Sequence, residues 1–291
     1  MPSHFDPLDK RYVEALGAQM AYVEHGEGDP IVLLHGNPTS SYLWREVIPQ
    51  LSSSGRCIAP DLIGMGDSAK IAKGPDAYRF SMHADHLGAF LDVMGIDQNV
   101  TLVVHDWGGP LGFNWGRHHP DAIKGVAYME TILTPVSWDQ WPDAARAIFQ
   151  AMRSDAGETI ILEKNVFVER IIPSSILRDL TDEEMEEYRR PYHEPGESRR
   201  PTLTWPREIP IDGEPADMVD VIEANREWLS GPGVPKLFVN ADPGMIVTDP
   251  LRELVQTWEN QSEVTVPGLH FIQEDSGEAI GKAIASWLAT L

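Results

Sequence analysis

The 291-residue sequence predicts an α/β protein, in which a mostly parallel eight-stranded sheet is flanked by helices and interrupted by a helical insertion. The first observation is that short apolar segments alternate with helical patterns up to residue 133 and again after residue 213. The second is that residues 134–213 contain helical patterns and prolines but no convincing strand. We therefore predict a core of residues 1–133 and 214–291, and a helical cap of residues 134–213.

The elements before the insertion follow in a regular order. Alternating segments at 11–16 and 19–24 flank Gly17-Ala18 and predict a hairpin. Apolar runs at 31–36, 56–60, 100–104 and 123–130 predict buried strands, and helical patterns near 81–94 and 110–118 predict the connections between them.

The insertion and the C-terminal part are read in the same way. Thr181 and Glu184 have the spacing of a helix capping box, whereas the prolines of residues 199–210 favour a connector without regular structure. Apolar runs at 236–240 and 263–268 predict two more strands. The apolar positions from Ala279 to Leu288 fall on one face of a final helix.

Composition excludes several classes of protein. The net charge of −22 argues against nucleic acid and anionic membranes as partners, because both repel an acidic protein. Cys57 is the single cysteine, so no internal disulfide can form, and no apolar stretch approaches the length of a membrane span. Residues 1–6 lack a signal-peptide pattern. We expect a cytoplasmic protein that is a monomer or a weak homodimer.

The segment "VVHDWGGP" places Asp106 at the corner between a predicted strand and a predicted helix. A carboxylate at such a corner either caps the helix or is presented there to react. The segment resembles the nucleophile elbow G-x-S-x-G, with Asp106 in the position of the serine. Val104 replaces the first glycine of that pattern, so the motif alone leaves both interpretations open.

Two further segments favour the reactive interpretation. "LLHGNP" lies upstream, where the oxyanion loop of such a fold is expected. "GLHFIQED" puts His270 in a loop between the last strand and the last helix, which is the chain order in which this fold places its histidine.

The segments "HGNPTSSYLW", "PDLIGMGDS", "HDWGGPLGF", "YMETI", "FVERIIPSSILR", "RRPTLTWPREIPI" and "HFIQED" together resemble the haloalkane dehalogenases of the α/β-hydrolase superfamily. The likeness runs from about residue 8 to the C-terminus, and it is to the branch whose catalytic acid follows the sixth strand. The same segments also resemble the Renilla-type coelenterazine luciferases.

The resemblance implies a role for five residues and a hydrolytic reaction without cofactor or metal. Asp106 would be the nucleophile, His270 the base that activates water, and Glu130 the acid that orients the histidine. Asn37 and Trp107 would bind the halide. The expected partners are small apolar halogenated substrates, water and the halide ion.

Three patterns leave alternatives. Asp242, in "NADPG", stands where other α/β-hydrolases keep their acid, although the family context favours Glu130. The glycine-rich residues 64–69 fit a dinucleotide fingerprint, but Gly74-Pro75 leaves no helix to follow, so we interpret them as a loop. The pairs His83/His86 and His118/His119 lack a third ligand, and surface or capping roles are expected instead of a metal.

The remaining expectations concern the pocket and the competing functions. The predicted lining is apolar and suits haloalkanes; it comprises Trp138, Trp141, Phe149, Phe167 and Pro206 from the cap, and Ile246, Leu269 and Phe271 from the sheet side. A serine esterase lacks its nucleophile here. An epoxide hydrolase would need acidic tyrosines in the cap, for which Tyr188 and Tyr192 are candidates. Luciferase activity would use the same pocket, and a non-enzymatic binding module would lack part of the set of five.

Overall fold

The computed structural model describes residues 5–291, so most of the N-terminal segment considered for a signal peptide lies outside the described residues. One sheet has the strand order β1-β2-β4-β3-β5-β6-β7-β8. Its strands are β1 (Arg11–Ala15), β2 (Ala18–His25), β3 (Pro30–Leu34), β4 (Arg56–Pro60), β5 (Val100–Asp106), β6 (Ile123–Thr131), β7 (Lys236–Pro243) and β8 (Gln261–Gly268). Only β2 runs antiparallel to its neighbours, so the predicted mostly parallel eight-stranded sheet is confirmed.

Ten α-helices accompany the sheet in the described part of the chain. They are α1 (Ile48–Leu51), α2 (Phe80–Val93), α3 (Gly108–His118), α4 (Asp143–Arg153), α5 (Ile172–Ser174), α6 (Asp182–Arg189), α7 (Arg200–Glu208), α8 (Ala216–Ser230), α9 (Leu251–Val255) and α10 (Ile272–Leu288). Shorter turns of 3₁₀ helix lie at Ser41–Trp44, Pro120–Ala122, Arg190–Tyr192 and Glu197–Arg199, and π-helical turns lie at Glu158–Glu163 and Phe167–Ile171.

The central strands are buried along their whole length because helices cover both faces of the sheet. Every residue of β5 is buried, and so are all residues of β3 except the first. This burial explains why these strands are continuous apolar runs in the sequence and do not alternate. Two separate apolar clusters, one on each face, hold the helices against the sheet.

The strand order reverses direction at β3. The chain passes from β3 to β4 on one side and then to β5 on the other, so the connections after β3 and β5 leave the sheet in opposite directions. A crevice opens at the carboxyl ends of parallel strands at such a point, and ligands of open α/β sheets bind there. The segments that follow β3 and β5 contain Asn37 and Trp107, and Asp106 is the last residue of β5.

The segment between β6 and α8, which we propose as the cap, contains helices α4 to α7 and contributes no strand to the sheet. Val136 and Ile211 pair as an isolated bridge, with the N–H of Val136 donating to the carbonyl of Pro210 at 3.1 Å. Helix α8 packs on α3 and therefore belongs to the layer that flanks the sheet.

The prediction of an irregular connector at residues 199–210 is wrong, because most of this segment forms helix α7. Pro201 lies in the first turn, where a backbone N–H has no partner within the helix, so this proline costs little. Pro206 lies inside the helix and removes one helical hydrogen bond. Prolines normally break helices, but tertiary packing keeps this segment helical, and all but one of the nine residues of α7 are buried.

Candidate active site

Asp106 occupies a sharp corner between β5 and α3 and has a backbone φ of 50°. A positive φ is costly for a residue with a side chain and persists only where the surroundings enforce it. The hydroxyl of Thr131 donates to the carbonyl of Asp106 at 2.6 Å. Close packing also requires glycine: a Cβ at Gly108 would lie 2.1 Å from the carbonyl oxygen of Leu34. The corner therefore presents the carboxylate at the end of the strand, as a nucleophile elbow does.

The valine that departs from the elbow pattern is accommodated by the following helix. Val104 is fully buried, and a Cβ built on Gly112 of α3 would lie 3.0 Å from its Cγ1 atom. Gly112 on the helix thus leaves room for the side chain of Val104, whereas the usual elbow pattern gains this room from a glycine on the strand. Because Gly112 leaves this room, a valine at position 104 in place of the motif's glycine does not prevent the corner from forming.

The two oxygen atoms of the Asp106 carboxylate have different surroundings. The backbone N–H of Asn37 donates to Oδ1 at 2.6 Å, whereas Oδ2 lies 3.6 Å from Nε2 of His270. Burial raises the pKa of Asp106, but His270 and the N–H of Trp107 outweigh burial, and its net pKa lies below the ordinary value. The carboxylate is therefore ionised at neutral pH although it is buried.

His270 lies in the loop between β8 and α10, as the sequence predicts, and its ring stands between two carboxylates. Nε2 faces Asp106, and Nδ1 lies 3.5 Å from Oε2 of Glu130. Burial lowers the pKa of His270, but the two carboxylates together outweigh burial and raise it to about 9. In this state the imidazole carries a proton at neutral pH.

Glu130 is near the end of β6, and a turn of backbone after β7 surrounds its carboxylate. Oε2 accepts the N–H groups of Met245 and Ile246 at 3.0 and 2.8 Å, and Oε1 accepts the N–H of Val247 at 3.2 Å. Gly244 makes this close approach possible, because a Cβ there would lie 2.9 Å from Oε1. Three N–H donors hold the carboxylate in a fixed position beside the histidine.

Asp242 does not approach the histidine in the same way. It is exposed near the end of β7 and pairs through its backbone with Pro267 of β8. Glu130, in contrast, is 1% exposed and faces Nδ1 of His270. The geometry therefore favours Glu130 as the group that orients the imidazole.

Asn37 and Trp107 meet at the inner end of a cavity of about 160 Å³ that also contains Asp106 and His270. Asn37 is 3% exposed, and its Nδ2 atom donates to the backbone carbonyl of Thr202 at 3.3 Å. An indole N–H can only donate, and an amide nitrogen carries two N–H groups, so this end of the cavity offers donors to an anion.

The rest of the cavity is mainly apolar. Of the predicted lining, Trp141, Phe149, Phe167, Pro206 and Ile246 face the cavity. They are joined by residues that the sequence did not indicate: Ile132, Leu133, Thr134, Val136, Gln140, Pro142, Ala145, Ile171, Ser175, Ile209, Met245, Thr248 and Leu251.

Three predicted lining residues lie elsewhere, and these predictions are corrected. Leu269 and Phe271 flank His270 in the bend between β8 and α10, and neither of them lines the cavity. Phe271 instead packs against cap residues in a separate cluster. Trp138 packs edge-on against Trp141, with ring centroids 5.9 Å apart, and Trp141 is the one that faces the cavity.

Some supporting residues could not be found from the sequence. His105, adjacent to Asp106 in the chain, is fully buried, and its Nε2 donates to the carbonyl of His270 at 2.8 Å. Burial lowers the pKa of His105 to about 3, so it is a neutral donor at physiological pH. Thr131 and Thr202 likewise act through contacts between segments that are distant in the chain.

The histidine pairs differ in their surroundings. His83 and His86 are buried, which corrects the expectation of a surface role, and His83 stacks on Trp205 at 4.2 Å between ring centroids. His118 and His119 each hydrogen bond to a carbonyl of the last turns of α3. Within residues 5–291, no group of three or more potential metal ligands is arranged to hold an ion, and no helix is long and apolar enough to cross a membrane.

Comparison with known proteins gives a consistent result. Residues 29–277 match the model of the alpha/beta hydrolase fold family. A haloalkane dehalogenase from Sphingobium indicum is 50% identical over 284 residues, covering 97% of this chain and 96% of the relative. One from Mycolicibacterium smegmatis is 49% identical, covering 96% of this chain and 90% of the relative.

Solved structures agree with the sequence relatives. The crystal structure of a haloalkane dehalogenase from Bradyrhizobium elkani superposes with a TM-score of 0.92 at 41% identity, covering 97% of this chain and 98% of that chain. One from Agrobacterium tumefaciens superposes with a TM-score of 0.90 at 35% identity, covering 97% and 96%. The chain belongs to the α/β-hydrolase fold family and, within it, to the haloalkane dehalogenases.

The position of the acid can be tested by paired substitutions. Glu130→Gln should reduce steady-state bromide release from 1-bromobutane by at least about a hundredfold, because the imidazole loses the carboxylate that orients it and stabilises its charged form. Asp242→Asn, an exposed change of the same kind, should retain most of the activity. Loss of activity in Asp242→Asn with retention in Glu130→Gln would move the acid to the end of β7.

Proposed function

We propose that this haloalkane dehalogenase cleaves the carbon–halogen bond in two steps, through a covalent alkyl ester on Asp106. The observation that carries the proposal is the unequal environment of the Asp106 carboxylate inside an apolar cavity. Oδ1 accepts the backbone N–H of Asn37 at 2.6 Å, whereas Oδ2 lies 3.6 Å from Nε2 of His270, beyond hydrogen-bond distance. Oδ2 is thus free to attack, while Oδ1 remains hydrogen-bonded to the N–H of Asn37.

In the first step, Oδ2 of Asp106 attacks the carbon that bears the halogen, and the halide leaves on the opposite side. An ionised carboxylate needs no base for this attack. The halide takes the bonding electron pair, so the departing group needs donors and no acceptors. The Asn37 amide and the Trp107 indole supply such donors, and a donor aimed at developing charge typically changes a rate by about 100- to 1,000-fold.

In the second step, water attacks the carboxyl carbon of the ester while His270 accepts its proton. The negative charge that develops on Oδ1 is stabilised by the backbone N–H groups of Asn37 and Trp107, which form the oxyanion hole. Collapse of the intermediate breaks the bond between the carboxyl carbon of Asp106 and Oδ2, so Oδ2 leaves with the alkyl group and takes the proton from His270 to become the alcohol. The products are the alcohol, the halide and one proton, and one water oxygen is retained in the carboxylate.

The charges around His270 support this order of steps. With both carboxylates ionised, the pKa of the imidazole is about 9, and the ring is protonated and unable to act as a base at neutral pH. Formation of the ester neutralises Asp106 and removes one of the two charges that hold the proton. The pKa of His270 then falls, and the ring becomes a base at the stage when a base is needed.

The cavity supports small apolar haloalkanes as the substrate class. Its walls are chiefly aliphatic and aromatic, and its volume is about 160 Å³. Apart from Asn37, Asp106, Trp107 and His270, the polar side chains that line it are limited to Thr134, Gln140, Ser175 and Thr248 within the described residues. An apolar chain therefore gains from burial, whereas a charged substrate would lose its hydration without compensation.

Epoxide hydrolysis is not supported by the cap tyrosines. The hydroxyl of Tyr188 donates to the carboxylate of Glu274, and Tyr192 is fully buried in the same apolar cluster of the cap. Neither of them is among the residues that line the cavity, so neither can protonate an epoxide oxygen held at Asp106.

Trapping of the ester tests the two-step mechanism. His270→Ala should still release about one bromide per active site from 1-bromohexane and then stop, because Asp106 attacks without a base but the ester is not hydrolysed. Intact-protein mass spectrometry should detect one added hexyl group, and peptide mapping should place it on Asp106. Asp106→Asn is the matched control and should give neither bromide nor adduct. Continuous turnover by His270→Ala, or a folded variant without adduct, would contradict the mechanism.

The charge dependence of the imidazole gives a second test. Asp106→Asn removes one of the carboxylates that favour the protonated ring, so the pKa of His270 should fall from about 9 by at least about 1. NMR titration of the imidazole signals of the wild type and the variant would measure the change. Asp242→Asn should leave the titration unchanged. An unaltered pKa in Asp106→Asn would show that Asp106 does not control the protonation of the base.

We further propose that the chain acts in the cytoplasm as a monomer or a weak homodimer. The net charge of −22 supports this, because identical acidic surfaces repel one another unless an interface compensates. Light scattering at physiological ionic strength should give a mass near 32.4 kDa at low concentration. A stable tetramer under those conditions would contradict the proposal.

A further inference from the structure

The side-chain amide of Asn37 is held by an unusual partner. Its Nδ2 atom donates to the backbone carbonyl of Thr202, which lies inside helix α7, 165 positions away in the chain. Carbonyl groups inside a helix normally accept from the N–H four residues later and are not available to other groups. For Thr202 that residue is Pro206, which has no N–H. The proline therefore leaves the Thr202 carbonyl free to accept from Asn37.

This contact determines which way the amide faces. A carbonyl can only accept, so the nitrogen of the amide, and not Oδ1, must point at Thr202. The second N–H on the same nitrogen stays available for the halide. Oδ1 is buried and has no hydrogen-bond partner among the described residues. An unsatisfied buried oxygen is costly, and its presence indicates that the orientation of the nitrogen serves the site.

The carbonyl itself is held in place by contacts between α7 and the core. The hydroxyl of Thr204 donates to the carbonyl of Ala77 at 2.8 Å. The indole N–H of Trp205 points to the sulfur of Met65 at 3.4 Å, and its ring stacks on Trp107 at 4.5 Å between centroids. The helix cannot rotate without breaking these contacts, so the acceptor for Asn37 has a fixed position.

We propose that Pro206 is a positioning residue for the halide site, which acts by freeing the Thr202 carbonyl to orient the Asn37 amide. The inference rests on the proposed role of Asn37 in binding halide. It differs from a lining role for Pro206, because the relevant property is the missing N–H and not the ring that faces the cavity. A substitution of Pro206 that restores the N–H should therefore stabilise helix α7 and weaken halide binding.

Bromide binding by the whole enzyme tests the proposal, because a free ion has no alkyl chain to pack against the wall at position 206. Quenching of tryptophan fluorescence by bromide gives the dissociation constant. Pro206→Ala restores an N–H that draws the Thr202 carbonyl back into the helix and breaks the 3.3 Å contact with Asn37. Bromide should bind about tenfold more weakly, while the melting temperature stays the same or rises.

Two matched substitutions separate the N–H from other effects. Pro206→Val restores the same N–H with a bulkier side chain, so it should weaken bromide binding to a similar extent. Pro201→Ala changes a proline in the first turn of the same helix, where the new N–H cannot reach the Thr202 carbonyl, and it should leave the bromide affinity unchanged. Bromide affinities of both Pro206 variants within twofold of the wild type would overturn the proposal.

The double substitution shows whether the effect passes through Asn37. In an Asn37→Ala background, Pro206→Ala should not weaken bromide binding further, because no amide remains to be oriented. An equal further loss would overturn the proposal and assign the effect to the cavity wall. If Asn37→Ala alone leaves bromide binding intact, the halide assignment fails together with the inference. If Asn37→Ala weakens binding and Pro206→Ala does not, only the inference fails.

Discussion

The backbone of Asp106 is the constraint on which the rest of the site depends. Its positive φ turns the chain from β5 directly into α3, so the carboxylate projects from the end of the sheet into the cavity. This turn brings Gly108 against the end of β3 and requires glycine at position 36, where a Cβ would lie 2.1 Å from Oδ1. The same closeness places the backbone N–H of Asn37 within 2.6 Å of the carboxylate. Strain at one residue therefore both presents the Asp106 carboxylate to the cavity and places the backbone N–H of Asn37 beside it.

Electrostatic balance is the second determinant. Two buried carboxylates flank one imidazole, and because the attraction operates in a medium of low dielectric, the ring retains a proton despite its burial. Backbone N–H groups after β7 compensate the charge of Glu130, so this carboxylate can remain in the interior. Neutral His105 supports the histidine loop without adding a competing charge. The charge of the site is thus confined to His270 and the two carboxylates that flank it.

The cap helps to hold the loop that contains His270 in place, and it also supplies apolar walls of the cavity. Glu274, four residues after His270, accepts from Arg45 of the core and from Arg178 and Tyr188 of the cap, which ties the histidine loop to both parts. Breaking such a buried network is far more costly than losing an exposed ion pair. Helix α7 contacts Asn37 and Trp107, the residues proposed to bind the halide. A cap held in this way covers the reacting groups and limits the access of water.

The sequence by itself determined the sheet, its parallel strands and the position of Asp106 and His270 at the ends of strands. Strands of a parallel sheet are buried on both faces, so they are continuous apolar runs whose ends can be read from the sequence. It did not determine that Pro206 lies inside a helix, since tertiary packing outweighs local propensity there. It also left Glu130 and Asp242 as alternatives, because both follow strands and only their distances from His270 distinguish them. Contacts between distant segments leave no periodic pattern in the chain. The tertiary structure therefore decided which side chains face the cavity and which groups hold them there.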